Sequence, residues 1–175
     1  MVVFRKNKGG SGVRVVLLAA GAAACIAVPA AAKSNPGNGL SGTKMAMMRG
    51  ACSLLVVGGK DLTSQCKPTL MNNAYRSGRS SFMFGVGDDV MVSFFGVDSQ
   101  AVGDQATLSV DEIGVATGHA DGTAQRVPHA VRGSCTYSNP YRGASRVSCV
   151  ADGADGHYAV EFLSDGQPPN VIELP

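Results

Sequence analysis

The sequence lacks the short motifs that identify the common enzyme classes. It has no HExxH, no G-x-S-x-G, no Walker A loop and no G-x-G-x-x-G after a strand. Its three histidines, His119, His129 and His157, are not spaced as metal ligands with one another or with a cysteine. These absences favour a non-enzymatic protein without metal or cofactor. A small hydrolase with a histidine–carboxylate pair is the alternative, because catalytic triads assemble in space rather than in sequence.

Tryptophan is absent as well, whereas glycine is abundant, with 23 residues. Glycine at this level suits many turns and short strands better than long helices. Several short alternating segments are separated by Gly-rich turns, which is typical of a small barrel or sandwich of antiparallel hairpins. We therefore predict a mostly β fold with at most one short helix after the N-terminal segment.

Acidic residues are missing from the first fourteen positions, which contain Arg5, Lys6, Lys8 and Arg14. An apolar run from Val15 to Val28 follows, then Pro29 and Ala30-Ala31-Ala32. This order predicts a signal-peptide helix over residues 1–32. No Arg-Arg pair precedes the apolar run, which favours export by the general secretory route over the twin-arginine route. The mature protein is then periplasmic or secreted, with membrane contact through the signal segment only. A lipid anchor at Cys25 is the alternative.

Removal of residues 1–32 leaves 143 residues with 11 basic and 13 acidic side chains, a net charge of −2. The basic character of the full chain therefore belongs to the signal segment and indicates no nucleic-acid partner. We predict a flexible linker over 33–47, a β domain over 48–168 and a C-terminal tail over 169–175.

The predicted mature chain contains four cysteines, an even number that in an exported protein indicates two disulfides. Three pairings are possible. Spacing favours Cys52–Cys66 and Cys135–Cys149, since each pair encloses thirteen residues that resemble strand, turn and strand. A loop of this size contributes about 3 kcal/mol in the chain-entropy model. No C-x-x-C pair supports zinc binding by the same thiols.

The clearest structural pattern is a hairpin over residues 82–95. Apolar residues alternate on both sides of Gly87-Asp88-Asp89, and a turn centred on Asp88 pairs Phe82 with Phe94, Phe84 with Val92 and Val86 with Val90. All six side chains then face the core.

Other segments give weaker predictions. A phase slip at Asp111-Glu112 suggests a bulge, and Pro128 suggests that residues 124–136 form an edge strand. A last hairpin is predicted around residues 152–156. Residues 67–78 have the spacing of a short helix, with Pro68 in its first turn and Gly78 as its stop.

Two polar loops are candidates for binding. Inside the second cysteine pair, Tyr137, Tyr141, Arg142 and Arg146 have the composition of a protein-recognition loop, although a plain hairpin tip explains them too. Asp152, Asp155 and His157 share a Gly-rich turn that could bind Ca²⁺, yet ordinary turn chemistry accounts for these residues equally well.

Three stretches also suggest a relationship to other proteins. CTYSNPYRGASRVSC at Cys135–Cys149, the later EFLSDGQPP, and CKPTLMNNAYRSGR from Cys66 resemble small exported proteins of unknown function from proteobacteria. This resemblance implies an envelope or secreted location and no site residues. Taken together, we expect an exported domain that binds an unknown protein or envelope component; an inhibitor of an extracytoplasmic enzyme is a further alternative.

Overall fold

The computed structural model describes residues 42–119 and 122–175, which form ten β-strands. Their bounds are β1 Lys44–Val57, β2 Lys60–Asp61, β3 Cys66–Ala74, β4 Arg79–Val86, β5 Val90–Asp98, β6 Gln105–Gly118, β7 Ala124–Ser138, β8 Arg146–Gly153, β9 Gly156–Ser164 and β10 Asn170–Glu173. Two 3₁₀ turns, Thr63–Gln65 and Pro140–Arg142, are the helical elements of the described residues. No helix in this part of the chain is long and apolar enough to cross a membrane. The predicted signal peptide and Cys25 lie outside the described residues.

Eight of the strands close into an antiparallel barrel. Each of β3 to β8 pairs with the next strand in sequence, β1 pairs with β3, and β9 pairs with β1 to complete the ring. Strand β1 changes neighbour along its length, since Lys44–Arg49 pair with β3 and Gly50–Val56 pair with β9. A Cβ atom at Gly50 would lie 2.1 Å from the Leu163 carbonyl oxygen, so only glycine fits where β9 meets β1. The prediction of a small antiparallel barrel or sandwich is confirmed, as a barrel.

The two short strands extend the barrel at β1. Strand β2 pairs with the last residues of β1, and β10 pairs with Lys44–Met47. Strand β1 therefore begins inside the segment 33–47 for which a linker was predicted, and β10 lies inside the predicted tail 169–175. The rest of the predicted linker, up to residue 41, lies outside the described residues.

The central hairpin has the predicted register. Phe82 pairs with Phe94, Phe84 with Val92, and Val86 with Val90. All six side chains belong to the core or pack against it. The last hairpin is also confirmed, since β8 and β9 are joined at Gly153–Gly156.

The predicted helix over 67–78 is wrong, because these residues form most of β3 and the turn after it. Leu70–Ala74 pair with β1 on one side and β4 on the other, with Leu70 fully buried inside the barrel. Pairing with two strands outweighs the weak helical preference of a short segment. Pro68 is tolerated because it lies where the β3–β4 register shifts, between Cys66 and Leu70.

Strands β6 and β7 contain the predicted bulge and, in part, the predicted edge strand. The β6 ladders with β5 and β7 skip Asp111, which confirms the predicted bulge. Strand β7 pairs with β6 along its whole length but with β8 only over Val131–Tyr137. The edge-strand prediction is thus right for the first half of β7, where Pro128 lies, and wrong for the second half.

The two ends of the barrel differ. At the plugged end, formed by the β1–β2, β4–β5, β6–β7 and β8–β9 turns, the segment Leu62–Gln65 crosses from β1 to the β4–β5 turn. Leu62 packs against the core, its N–H donates to the Leu55 carbonyl at 2.8 Å, and the Gly87 N–H donates to the Gln65 carbonyl at 2.9 Å. The open end is formed by the loops 99–104, 139–145 and 165–169, and it contains a cavity.

Candidate ligand-binding cavity

Two disulfides brace the barrel, and both have the predicted pairing. Cys135 and Cys149 are direct partners in the β7–β8 ladder, and their side chains are 0% and 1% exposed. Cys52–Cys66 connects β1 to the start of β3, beyond the point where the β1–β3 ladder ends at Arg49–Thr69. Two such intramolecular bonds are consistent with an oxidising, extracytoplasmic location.

The cavity at the open end has a volume of about 360 Å³. Tyr137 and Val147 form the inward-facing pair directly above the Cys135–Cys149 pair, so the second disulfide lies under the cavity wall. The residues that line the cavity come from β1, β3, β4, β6, β7, β8 and the loops of the open end. They are Ala46, Met48, Asn72, Phe82, Ala101, Asp104, Gln105, Ala106, Tyr137, Ser138, Asn139, Pro140, Tyr141, Ser145, Val147 and Pro169. Apolar groups line the interior, and most of the polar ones belong to the loops at the mouth.

Small side chains keep this end hollow. Ala46 on β1 and Ala106 on β6 are buried residues that face the inside of the barrel. The larger side chains of Met48, Phe82 and Val147 occupy nearby inward positions. An eight-stranded barrel is just wide enough to be filled by its own side chains or to hold one small ligand. Alanine at two inward positions therefore leaves space that larger residues would occupy.

One wall of the cavity is fixed by a partly buried polar cluster centred on Asp98. The Tyr137 hydroxyl donates to Asp98 Oδ1 at 2.7 Å, and the Ser80 hydroxyl donates to Asp98 Oδ2 at 2.5 Å. Burial, followed by the hydrogen bond to Asp98 and the charge of that carboxylate, raises the pKa of Tyr137 far above its usual range. Tyr137 is consequently a neutral aromatic wall, held edge-on against Phe82 at 4.9 Å between ring centroids.

The mouth is shaped by the 3₁₀ turn Pro140–Arg142. Asn139 caps this turn, because its Oδ1 accepts a hydrogen bond from the Tyr141 N–H at 3.0 Å. Tyr141 is 50% exposed and lines the cavity, whereas Arg142 points to the rim and pairs with Asp104 at 2.9 Å. This turn forms the tip of the β7–β8 hairpin, as the plain hairpin interpretation of the loop expects.

The four residues of the predicted recognition loop therefore lie in different places and do not form one surface. Tyr137 and Tyr141 line the cavity, but Arg142 lies on the rim and Arg146 pairs with Glu161 at 3.5 Å on the outside of the β8–β9 hairpin. Composition alone did not reveal Asp98, Ser80, Ala46 or Ala106. Strand alternation could have placed Ala46 and Ala106 inward, but it could not show that they face the same space.

The histidines lie at the plugged end, away from the cavity. His129 Nδ1 bonds to Asp155 at 2.7 Å, and His157 Nδ1 bonds to Asp152 at 2.7 Å. The two carboxylates of the candidate calcium turn thus face different histidines instead of a common centre. No group of three or more His, Cys, Asp or Glu side chains that could hold a metal ion occurs in residues 42–119 and 122–175. The neighbourhood of His119 includes Ala120-Asp121, which the structure does not describe.

No protein-family model, curated protein or solved structure matches this chain.

Proposed function

We propose that this protein is exported to an extracytoplasmic compartment, periplasmic or secreted, and there binds a small ligand with an apolar body in the open end of its barrel. The cavity is the observation that supports ligand binding, and the two disulfides support the location. Its volume of about 360 Å³ lies within the range of small-molecule sites, about 300–1,000 Å³, and apolar walls with a few polar groups at the mouth are typical of such sites.

The chemistry of the cavity favours binding over catalysis. The Tyr137 hydroxyl already donates to Asp98, and both carboxylate oxygens of Asp98 accept a hydrogen bond, so these groups hold each other in place. The histidine–carboxylate pairs that a hydrolase would use lie at the other end of the barrel.

The ligand-binding proposal is tested with the fluorescent probe anilinonaphthalene sulfonate, whose emission rises in apolar surroundings. The double variant Ala46→Leu/Ala106→Leu fills the cavity with two larger side chains. We expect the affinity for the probe to fall at least tenfold, while the melting temperature shows that the barrel remains folded. Ala124→Leu is the matched control, because Ala124 is an exposed first residue of β7 at the plugged end. Equal binding by the filled variant would show that the probe does not use the cavity.

Export is tested separately by the intact mass of protein purified from the cell envelope, before and after reduction. A chain that begins at Lys33, and is four hydrogens lighter before reduction than after it, supports cleavage after Ala32. A mass that includes Cys25 with a lipid attached would replace the signal peptide with an anchor.

One observation favours an enzyme inhibitor as a second candidate function. Tyr141 is half exposed, on a turn whose conformation is set by the Asn139 cap and whose base is closed by Cys135–Cys149. Rigid loops of this kind lose little entropy on binding a protein surface. Both candidates use the same end of the barrel, so variants of the mouth separate them.

A further inference from the structure

The methionines of this protein are concentrated on one part of the barrel exterior. After Met1 the sequence has six methionines. Inward positions of the first strands hold Ala46, Met48, Leu70, Phe84 and Val92, so alternation places five methionines on the outer face. These five are Met45 and Met47 on β1, Met71 on β3, Met83 on β4 and Met91 on β5.

Three of these methionines form one lateral row across adjacent strands. Met47 is the direct ladder partner of Met71, and Met71 is the direct partner of Met83. Side chains at directly paired positions have Cβ atoms about 4.5–5.5 Å apart. The flexible thioether arms of the row can therefore bring three sulfur atoms to one point above the central strand. Met47 is 41% exposed, and Met71 and Met83 are partly exposed, so the point is reached from solvent.

Asn73, two residues after Met71 on the same outer face of β3, contacts one end of this row. It is 3% exposed, and its Nδ2 contacts Met83 Sδ at 2.7 Å and the Ser81 hydroxyl at 3.3 Å. Its Oδ1 is buried without a hydrogen-bond partner among the described residues. A buried amide that leaves its own oxygen unpaired while contacting a thioether holds the Met83 side chain at a defined place on the sheet.

The row has the ligand chemistry of a soft metal ion. Thioether sulfur selects Cu(I), whereas carboxylates and carbonyls suit Mg²⁺ and Ca²⁺. The positions that flank the row in its ladder are Asn170 on β10 and Ser93 on β5, so no carboxylate lies in line with it. We propose that Met47, Met71 and Met83 bind one soft monovalent metal ion, Cu(I), through three thioether sulfurs on the outside of the barrel.

The test uses Ag(I), which has the same charge and softness as Cu(I) and does not change its oxidation state. The oxidised protein has one cysteine outside the two disulfides, so the experiment uses the full chain with Cys25→Ser. Silver nitrate is titrated in chloride-free buffer by calorimetry, and the methionine methyl groups are followed by NMR. We expect one Ag(I) per chain, with shifts at Met47, Met71 and Met83 and little change at the buried Met48.

The triple variant Met47→Leu/Met71→Leu/Met83→Leu keeps similar side-chain volumes and removes the three sulfurs. We expect its affinity for Ag(I) to fall at least a hundredfold, with an unchanged melting temperature. Met91→Leu is the matched control, since Met91 is an outer-face methionine that pairs with Gly85 and Ala116 and is not in the row. If the triple variant unfolds, the single variant Met47→Leu, on a partly exposed side chain, is measured in its place.

Several outcomes overturn the proposal. These are no Ag(I) binding by the parent protein, equal binding by the leucine variants, or methyl shifts confined to other methionines. Displacement of Ag(I) by millimolar Mg²⁺ would also contradict it, because a thioether site discriminates against hard cations. The cavity is on the inside of the barrel, so failure of this test leaves the ligand-binding proposal intact.

Discussion

The two ends of the barrel are made by the same eight strands, yet one is sealed and the other is hollow. At the plugged end, Leu62 lies against the core and the segment Leu62–Gln65 is hydrogen-bonded to β1 and to the β4–β5 turn. At the open end, Ala46 and Ala106 occupy inward positions, and the loops form a mouth around about 360 Å³ of space. A few inward side chains and one connecting segment are thus enough to fill one end of an eight-stranded barrel and leave the other end hollow.

The two disulfides lie at different levels of the barrel and differ in burial. Cys135–Cys149 lies fully buried beneath the cavity wall, next to the Tyr137–Val147 pair, whereas Cys66 lies at the plugged end and Cys52 is only partly buried. Both bonds close loops of the same size, so any difference between them measures their surroundings.

The largest expected effect is on stability when the cysteines are replaced by alanine in pairs. Cys52→Ala/Cys66→Ala should lower the free energy of unfolding by about 3 kcal/mol, the chain-entropy value for a loop of this length. Cys135→Ala/Cys149→Ala should cost more, about 4–5 kcal/mol, because it also empties a packed part of the core. Urea denaturation measures both values.

The same variants should also differ in ligand binding. We expect the loss of Cys135–Cys149 to weaken binding of anilinonaphthalene sulfonate, since the wall above it is no longer held, and the loss of Cys52–Cys66 to leave it nearly unchanged. If the Cys52–Cys66 variant lost probe binding to the same degree, the two ends would not be independent.

A smaller effect is expected at alkaline pH, because the open end has the partly buried Tyr137 and the plugged end has the buried Tyr158. Burial and the Asp98 carboxylate raise the pKa of Tyr137 near the open end, and burial and the charge of Asp155 raise the pKa of Tyr158 near the plugged end. In the unfolded chain a tyrosine ionises near pH 10. Their contribution to stability is therefore complete below about pH 10 and is lost as the pH rises further, by up to about 1.4 kcal/mol per pH unit for each tyrosine.

The variants Tyr137→Phe and Tyr158→Phe should each flatten this decline, as measured by urea denaturation between about pH 9 and 11. Tyr137→Phe should also lower stability at neutral pH by about 1–3 kcal/mol, because Asp98 loses a hydrogen-bond donor. A decline that is the same in both variants and in the parent protein would mean that other groups cause it.

The smallest effects are expected at the rim of the open end. Arg142→Ala removes an exposed ion pair with Asp104 and should change stability by less than about 0.5 kcal/mol. Tyr141→Ala removes a cavity-lining ring and should weaken probe binding severalfold, while Arg142→Ala leaves it nearly unchanged. If both variants bind the probe normally but fail to inhibit an extracytoplasmic enzyme that the parent protein inhibits, the inhibitor proposal replaces the ligand-binding proposal.

Local patterns predicted the elements whose partners are close in sequence. The register of the Phe82–Phe94 hairpin follows from alternation around one turn, and both disulfides link cysteines only fourteen positions apart. The bulge at Asp111 is visible as a slip in the same alternation. The segment 67–78 has the spacing of a short helix, and only its pairing with β1 and β4 on its two sides makes it a strand.

The amino-acid sequence alone predicted a mostly β fold, favoured the observed disulfide pairing and indicated the inward face of the 82–95 hairpin, because alternation and loop closure act over short distances along the chain. That Ala46, Ala106, Tyr137 and Tyr141 surround one space, and that three methionines lie in one row, follows from the folded structure alone. These residues lie up to about ninety-five positions apart in the chain, from Ala46 to Tyr141. The methionine row is fixed by the pairing of β3 with β1 and β4, and the cavity by the closure of the barrel through the pairing of β9 with β1, which no local pattern in the chain contains.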